Sequence, residues 1–209
     1  MDLIFLGLVV ALILYRLNSV LGTRPERPQI KIITKKEFDK IYDMIQNKAH
    51  EDEKFGAIKV SQTPFDKELL KIEGFDKNAF LRRASKAFEM ILEAFSNRDK
   101  ETLKMLTTVK LYEQLSNIID ERTTQNITSE SDLIRIDEME IVDVKITMKK
   151  AHISVKFQSD QINVLKKADG EVIEGDENFV QQITDVWTFE KDLDSKTHVW
   201  LLSSTKKKQ

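Results

Sequence analysis

The spacing of apolar residues changes once along this chain, and that change constrains its fold more than any other feature. Between Asp76 and Phe95 the apolar side chains recur every three or four residues, which predicts a long amphipathic helix capped by Asp76. Two shorter helical patterns follow and end near Asn126. From about Leu133 the apolar residues recur at every second position, which predicts strands. Helices followed by an antiparallel sheet predict an α+β domain, with the helices packed on one face of a curved sheet.

The predicted strands are separated by recognisable turns. Two alternating runs are expected to form a hairpin with its turn at 149–150. Their apolar positions are Val142, Val144, Ile146 and Met148 in the first run and Ala151, Ile153, Val155 and Phe157 in the second. The Asp-Gly pair at 169–170 favours a further hairpin turn. Two more strands are expected over 183–189 and 199–203.

The first 21 residues carry a different pattern, an apolar run that is unbroken from Leu3 to Leu14 and continues more thinly to Leu21. A helix that ends at Leu14 is about 18 Å long, whereas one that ends at Leu21 is about 28 Å long and nearly matches a hydrocarbon core of roughly 30 Å. We therefore expect an uncleaved membrane anchor, with a cleaved signal peptide and a buried core helix as alternatives. The residues expected at the membrane are Leu3, Leu14, Arg16, Arg24 and Arg27.

The basic residues that follow the anchor predict that the rest of the chain lies on the cytoplasmic side of the membrane. Thr63 and Pro64 predict a short helix that runs to about Ile72. The expected organisation has four parts. They are a membrane anchor over 1–21, a linker with short amphipathic helices over 22–73, an α+β body over 74–204 and a basic tail over 205–209.

Charge limits the partners of the body. The formal net charge is −2 although both ends of the chain are basic, so the stretch between them is acidic. An acidic body argues against nucleic acid as a partner, whereas the basic ends favour an anionic membrane surface. The chain has no cysteine, which excludes disulfides and thiolate metal sites.

No catalytic set, metal or cofactor is predicted. The three histidines, His50, His152 and His198, are not at ligand spacing, and His152 is expected on the solvent face of its strand. Asp185 is the carboxyl group that stands in an apolar run, and two interpretations stay open. A buried Asp185 with a raised pKa would act as a general base, whereas one at an edge or turn would pair with a backbone amide.

Aromatic residues mark the last two strands. Trp187 and Phe189 share one face of a strand because side chains alternate, and Trp200 belongs to the last strand. Helix residues such as Phe88 and Phe95 are expected opposite them. Two interpretations stay open: a packed core, or an apolar cavity under the long helix that takes a lipid chain or the side chains of a peptide.

Three segments of the body together resemble the Tim-forty-four-like domain family. They are GFDKNAFLRRASKAFEMILEAFSNRD at 74–99, GEVIEGDENF at 170–179, and DVWTF at 185–189 followed by WLL at 200–202. The resemblance implies an α+β domain with an apolar pocket between its helices and a curved sheet, contact with the inner membrane, and no enzymatic activity. It places Phe80, Leu81, Ala84, Phe88 and Phe95 in a helix motif, and Trp187 and Phe189 in a sheet motif. The candidate pocket residues are Phe80, Ala84, Phe88, Ile91, Phe95, Trp187 and Phe189.

The family includes the membrane-side anchor of the mitochondrial presequence-import motor and bacterial proteins of the TimA type. An anchor followed closely by this domain is similar to the TimA type, so we expect a single-pass adaptor or scaffold of a bacterial inner membrane, linked to protein translocation or membrane-protein assembly. Its expected partners are a lipid and a membrane protein or chaperone. The alternatives are a small-ligand enzyme on a scaffold like nuclear transport factor two, with Asp185 as base, and a ribosome-associated protein, which the acidic body disfavours.

Overall fold

The computed structural model describes residues 63–195 and 199–207. The residues expected at the membrane, and two of the histidines, lie outside these ranges. They are Leu3, Leu14, Arg16, Arg24, Arg27, His50 and His198. None of the helices within the described ranges is both long enough and apolar enough to cross a membrane.

In the described ranges, four helices precede the sheet, and aspartate side chains fix where two of them begin. Their bounds are Asp66–Leu69 (α1), Lys77–Ser96 (α2), Lys100–Leu106 (α3) and Val109–Thr124 (α4). The Asp76 carboxylate accepts a hydrogen bond from the backbone N–H of Ala79 at 3.0 Å, and Asp99 does the same for Thr102 at 3.0 Å. These caps satisfy N–H groups that have no partner within the helix. The long amphipathic helix and its cap are confirmed.

The helix α1 is shorter than the sequence pattern predicts, because Thr63 acts as a donor and not as a cap. Its hydroxyl donates to the Asp66 carboxylate at 2.7 Å, and its backbone N–H donates to the same group at 3.2 Å. Since the Asp66 carboxylate is engaged with the residue three positions earlier, the chain turns once before the helix begins.

Five strands of the described chain form one antiparallel sheet. Their bounds are Thr128–Ile146 (β1), Lys150–Lys166 (β2), Val172–Gly175 (β3), Gln181–Asp192 (β4) and Leu201–Lys207 (β5). The order across the sheet is β1-β2-β4-β5, and β3 pairs with the end of β2 beyond β4. The predicted α+β class is confirmed.

The strand β1 does not follow the two-residue alternation that the sequence predicts. Most of its buried residues lie three positions apart; they are Leu133, Ile136, Met139, Ile141 and Val144. The pairing of β1 with β2 shifts by one residue just after Leu133, just after Ile136 and just after Ile141. Each shift is a β-bulge, which inserts an unpaired residue and bends the strand. The third bulge puts Val142 out of the predicted phase.

The first hairpin turn lies at 147–149, so its predicted position at 149–150 is wrong. The backbone N–H of Thr147 donates to the carbonyl of Lys150 at 2.8 Å, and the Thr147 hydroxyl accepts from the N–H of Lys150 at 3.0 Å. Lys150 is therefore the first residue of β2. Met148, predicted as a strand residue, lies in the turn and is 96% exposed.

The basic residues near the C-terminus also differ from expectation. The last strand was expected over 199–203 and a basic tail over 205–209, whereas β5 continues to Lys207. Lys206 and Lys207 are paired with Val186 and Asp185 of β4. The cross-strand pairing corrects the tail boundary, since these lysines are held beside the body of the sheet.

The helix α2 packs on one face of the sheet, and the odd-numbered residues of β2 and β4 form this inner face. Ala151, Ile153, Val155 and Phe157 lie on it and are fully buried. His152 points to the opposite face, as predicted, where its Nε2 lies 3.1 Å from a carboxylate oxygen of Glu190. The buried core therefore lies between the inner face and the helices.

Candidate functional site

Aromatic side chains join α2 to the inner face. The rings of Phe88 and Phe157 are stacked, with centroids 4.4 Å apart and an interplanar angle of 14°, and the Trp187 ring lies 4.5 Å from Phe88. One end of α2 makes a second group, in which the Phe80 ring is 5.9 Å from Phe189 and 5.0 Å from Trp200. Ring contacts of this kind add to the burial of apolar area and hold α2 against β4.

The predicted pocket residues all lie on α2 or β4, and ring contacts join Phe80 to Phe189 and Phe88 to Trp187. Six of them are buried, namely Phe80, Ala84, Phe88, Ile91, Trp187 and Phe189. Phe95, on the last turn of α2, is partly buried and carries the guanidinium of Arg122 over its ring at 5.0 Å. The opening of this junction to a guest stays a prediction.

Beyond Phe157 the inner face of β2 becomes polar. Ser159 and Gln161 are buried there, and Asn163 is partly buried. The Ser131 hydroxyl donates to the side-chain oxygen of Asn163. The side-chain amide of Asn163 donates to the side-chain oxygen of Gln161 at 3.2 Å, and the side-chain amide of Gln161 donates to the Ser159 hydroxyl at 2.8 Å. We call these four side chains the polar row. Ser131 donates across from β1, and the amide donors of Asn163 and Gln161 point along β2 toward Ser159.

The hydroxyl at the end of the polar row has a proton left to donate. Ser159 accepts from Gln161, and no other side chain in the described part of the chain accepts the Ser159 proton. Buried hydroxyl groups normally donate as well as accept. The inner face thus offers an unused donor next to the apolar ring contacts.

Asp185 lies on the inner face of β4, between Ile183 and Trp187, and diagonally across from Ser159. No described residue forms a hydrogen bond with its carboxylate. Burial raises the pKa of Asp185 to about 6, and the nearby Lys207 opposes that rise. Asp185 is partly buried, and the predicted edge or turn position is wrong, because Asp185 is paired with residues of both neighbouring strands. A role for Asp185 as a general base stays a prediction.

Four charged side chains are linked by electrostatic effects on the pKa values of Arg122, Glu174 and Asp185. They are Arg122 from α4, Glu174 from β3, Asp185 from β4 and Lys207 from β5, and we call them the charged quartet. Burial raises the pKa of Glu174, and the charges of Arg122 and Lys207 oppose the rise. Burial also lowers the pKa of Arg122, against the charge of Glu174. Glu174 therefore interacts electrostatically with Arg122 and Lys207, and Asp185 interacts with Lys207, which is exposed.

No direct bond links the members of the quartet. Among the described residues, none of the four side chains forms a hydrogen bond or an ion pair within 4.0 Å. No cluster of His, Cys, Asp or Glu in the described ranges is placed to hold a metal ion.

A local sequence pattern predicts the burial of the polar row, but none predicts the quartet. Ser159, Gln161 and Asn163 continue the two-residue period of the buried residues before them, so their burial could have been predicted. Arg122 stands on a helix whose pattern is amphipathic and would be assigned to the solvent face. Its position depends on how α4 and β3 meet, and no local pattern encodes that.

Comparison with known proteins covers almost every element described above. A family model described as the Tim44-like domain matches residues 71–207. The probable mitochondrial import inner membrane translocase subunit tin-44 of Caenorhabditis elegans is 32% identical over 148 residues, which are 68% of this chain and 35% of that protein. The human mitochondrial import inner membrane translocase subunit TIM44 is 26% identical over 129 residues, which are 61% of this chain and 28% of that protein.

The chain spans about a third of the length of these relatives. Among solved structures, the intermembrane space region of the chloroplast protein ARC6 is similar with a TM-score of 0.46 and 13% identity, over 64% of this chain and 96% of that one. The family match runs from just before α2 to the last residue of β5. This chain belongs to the Tim44-like domain family.

Proposed function

We propose that this protein is a membrane-associated, non-enzymatic adaptor that takes part in protein translocation. The observation that carries the proposal is the family match over 71–207, which includes α2 and all five strands. Support comes from the relatives, whose names describe inner membrane translocase subunits. Because the match covers only about a third of those proteins, the role of this chain is proposed for its Tim44-like domain and the segment before it.

The proposed location is the cytoplasmic face of a bacterial inner membrane. Residues 1–21 would form the span, and the basic residues Arg16 within its last turns and Arg24 and Arg27 after it support this orientation. Attachment by a span would keep the domain close to membrane proteins in transit. A partner protein of the membrane or a chaperone would then meet the domain at that surface.

The proposed binding site is the junction between α2 and the inner face, and its guest is a lipid chain or an apolar protein segment. Aromatic side chains supply the apolar contact, and they are joined to a polar end that has unused donors and acceptors. Sites for small amphipathic molecules commonly combine apolar walls with a few polar groups. Phe95, on the last turn of α2, is only partly buried and would be the first of the candidate residues that a guest meets.

A photo-reactive phenylalanine analogue at Phe95 tests the proposal in the native membrane. We expect light-dependent adducts with a lipid or with a membrane protein in transit. The matched control carries the same analogue at Met148, which is exposed in a turn of the sheet. Equal adducts from both positions would contradict a specific site. In the same cells, carbonate should extract a chain that lacks residues 1–21 but not the full chain, and extraction of both would contradict the span.

An enzyme with Asp185 as general base is the second candidate. The raised pKa of this carboxyl group is the observation that favours it. In that case Asp185→Asn would abolish turnover of the substrate, whereas an adaptor would still capture its partners. Recovery of the same cross-linked partners with the variant would favour the adaptor.

A further inference from the structure

Exposed apolar side chains are concentrated in residues 172–180, which form β3 and the connection from β3 to β4. Eight large apolar residues are exposed in the described part of the chain, and half of them belong to this segment. The other four stand singly in four separate segments. Isolated exposed apolar residues are ordinary, whereas a group of them marks an interaction surface. We call the group the apolar patch; its members are Val172, Ile173, Phe179 and Val180.

The register of the sheet places the apolar patch along one stretch of β2. β3 pairs with β2 at 164–166, and β4 begins its pairing with the same edge of β2 at Gln161. The two strands therefore lie end to end along that edge. The patch extends for about 17 Å along β2, from the level of Gln161 to that of Lys166. The four side chains thus form one surface and are not merely close in sequence.

Hydrogen bonds and a close backbone approach hold this segment in a defined shape. Gly175 lies so near β2 that a Cβ there would be 2.0 Å from a backbone oxygen of that strand. The backbone N–H of Phe179 donates to the carbonyl of Asp176 at 3.2 Å, and Lys166 forms an ion pair with Glu177 at 2.6 Å. Phe179 is nevertheless 59% exposed. Its exposure is therefore a feature of an ordered connection between strands.

The surroundings of the apolar patch are acidic. Between positions 166 and 180 the chain has five carboxylates and two lysines, which give a net charge of −3. Both lysines already form ion pairs with carboxylates of this segment, Lys166 with Glu177 and Lys167 with Glu171. The potential around the patch is therefore negative. The five carboxylates are Asp169, Glu171, Glu174, Asp176 and Glu177.

This charge decides which partner fits the apolar patch. An anionic membrane surface would be repelled by it, and so would the same patch of a second copy of the chain. A polypeptide that combines apolar residues with Lys or Arg is complementary to both features. Membrane proteins carry such sequences on the cytoplasmic side, where Lys and Arg are enriched next to the apolar spans.

We propose that the apolar patch binds a basic, apolar segment of a membrane protein, next to one of its spans on the cytoplasmic side. Apolar side chains of the segment pack on Ile173 and Phe179, and its Lys and Arg side chains meet the surrounding carboxylates. This inference rests on the proposed function, because it names the partner of the adaptor. The patch shares no residue with the junction between α2 and the inner face, so the two sites can be tested separately.

Fluorescence anisotropy of labelled peptides tests the proposal, with the full-length protein held in nanodiscs of phosphatidylcholine. The probe peptide contains leucine and arginine in equal numbers. One comparison peptide has glutamate in place of arginine, and the other has serine in place of leucine. Empty nanodiscs of the same neutral lipid correct for binding to the bilayer. We expect the probe to bind about tenfold more tightly than either comparison peptide, and its affinity to fall as salt is added.

Two double variants assign the binding to the patch. Ile173→Ser with Phe179→Ser should weaken binding of the probe about tenfold, because the apolar contact is lost. Glu171→Gln with Glu177→Gln should weaken it and also reduce its dependence on salt, because opposite charges are lost. All four side chains are exposed, so thermal melting should show folded proteins with little change in Tm.

Matched controls replace the same kinds of side chain elsewhere. Met148→Ser removes an exposed apolar side chain from the first hairpin turn, and Asp132→Asn removes an exposed carboxylate from β1. Both should leave binding of the probe unchanged. Equal affinity for all three peptides, or an affinity that neither double variant lowers, would overturn the apolar patch as a binding surface. Adducts from the photo-reactive analogue at Phe95 would in that case still support the adaptor.

Other occupants of the apolar patch would give different results. Sedimentation that shows dimers of the unaltered protein, but monomers of the variant with Ile173→Ser and Phe179→Ser, would identify a second copy and overturn the basic partner. A photo-reactive analogue at Phe179 should form adducts with membrane proteins in cells. Adducts with phospholipid alone would show that the patch lies on the bilayer, which would also overturn the proposal.

Discussion

Replacement of Asp185 by Asn should make the protein more stable, and the gain should grow with pH. The pKa of Asp185 is raised to about 6 by burial, against an ordinary value of 3.8. A carboxyl group whose pKa is higher in the folded state stabilises the fold only while it is protonated. Its contribution is complete below about pH 3.8, falls as the pH rises through 6, and is absent above about pH 7.

The magnitude follows from the same two pKa values. Each tenfold difference in proton affinity is worth about 1.4 kcal/mol, so the ionised carboxylate costs the folded state about 3 kcal/mol at pH 8. At pH 5 the cost is about 1.5 kcal/mol, because the folded protein is still largely protonated there. The advantage of Asp185→Asn should therefore grow by about 1.5 kcal/mol between pH 5 and pH 8. For a domain of this size that is a difference of roughly 3–6 °C in Tm.

Thermal melting of both proteins at pH 5, 6, 7 and 8 measures this effect. Asp132→Asn removes a carboxylate from an exposed position on β1 and controls for the change in net charge. The reasoning would be refuted if the difference in Tm between Asp185→Asn and the unaltered protein were the same at pH 5 and pH 8. Such a result would mean that water solvates Asp185 as well in the folded chain as in the unfolded one.

Two further predictions concern packing and backbone geometry. Phe88→Ala should lower the free energy of unfolding, measured in urea, by about 3–5 kcal/mol because it leaves a cavity among stacked rings. Arg82→Ala, on the exposed face of α2, should change it by less than about 0.5 kcal/mol. Similar losses for the two variants would show that the faces of α2 are misassigned. Gly175→Ala should be far more damaging to Tm than Gly170→Ala. Both glycines have positive φ, but a Cβ at Gly175 would lie 2.0 Å from a backbone oxygen of β2, while one at Gly170 would meet nothing within 4 Å. Equal losses would indicate that β3 can move away from β2.

The helices were predictable because their signals are local. The apolar spacing of α2 and the carboxylate of Asp76 act within a few residues, and the structure keeps both. The facing of Phe88 toward Trp187 also followed from the two periods, 3.6 for the helix and 2 for the strand. To predict a contact of this kind, it is enough to assign each residue to the correct helix or strand and to the correct face of it.

The bulges and the quartet could not be predicted, because they depend on how distant segments fit. A bulge is a property of a strand pair, so the three in β1 are invisible until β2 lies beside it. The sequence alone therefore predicted Val142 on the same face of β1 as Val144, which the third bulge prevents. Arg122 and Glu174 are about fifty positions apart, and each would pass as an ordinary surface residue in its own segment. The same is true of Lys207, which was expected in a solvated tail.

The bulges of β1 also affect whether another polypeptide can pair with the edge of the sheet. β1 is the terminal strand in the order of the sheet, so the polar backbone groups on its outer side are a potential template for another extended chain. Three interruptions in 19 residues leave no long regular stretch for such a chain to add to. Alternating acidic side chains, such as Glu138 and Glu140, further disfavour it. A protein proposed to work beside unfolded polypeptides would thereby avoid being captured by the very chains that it handles.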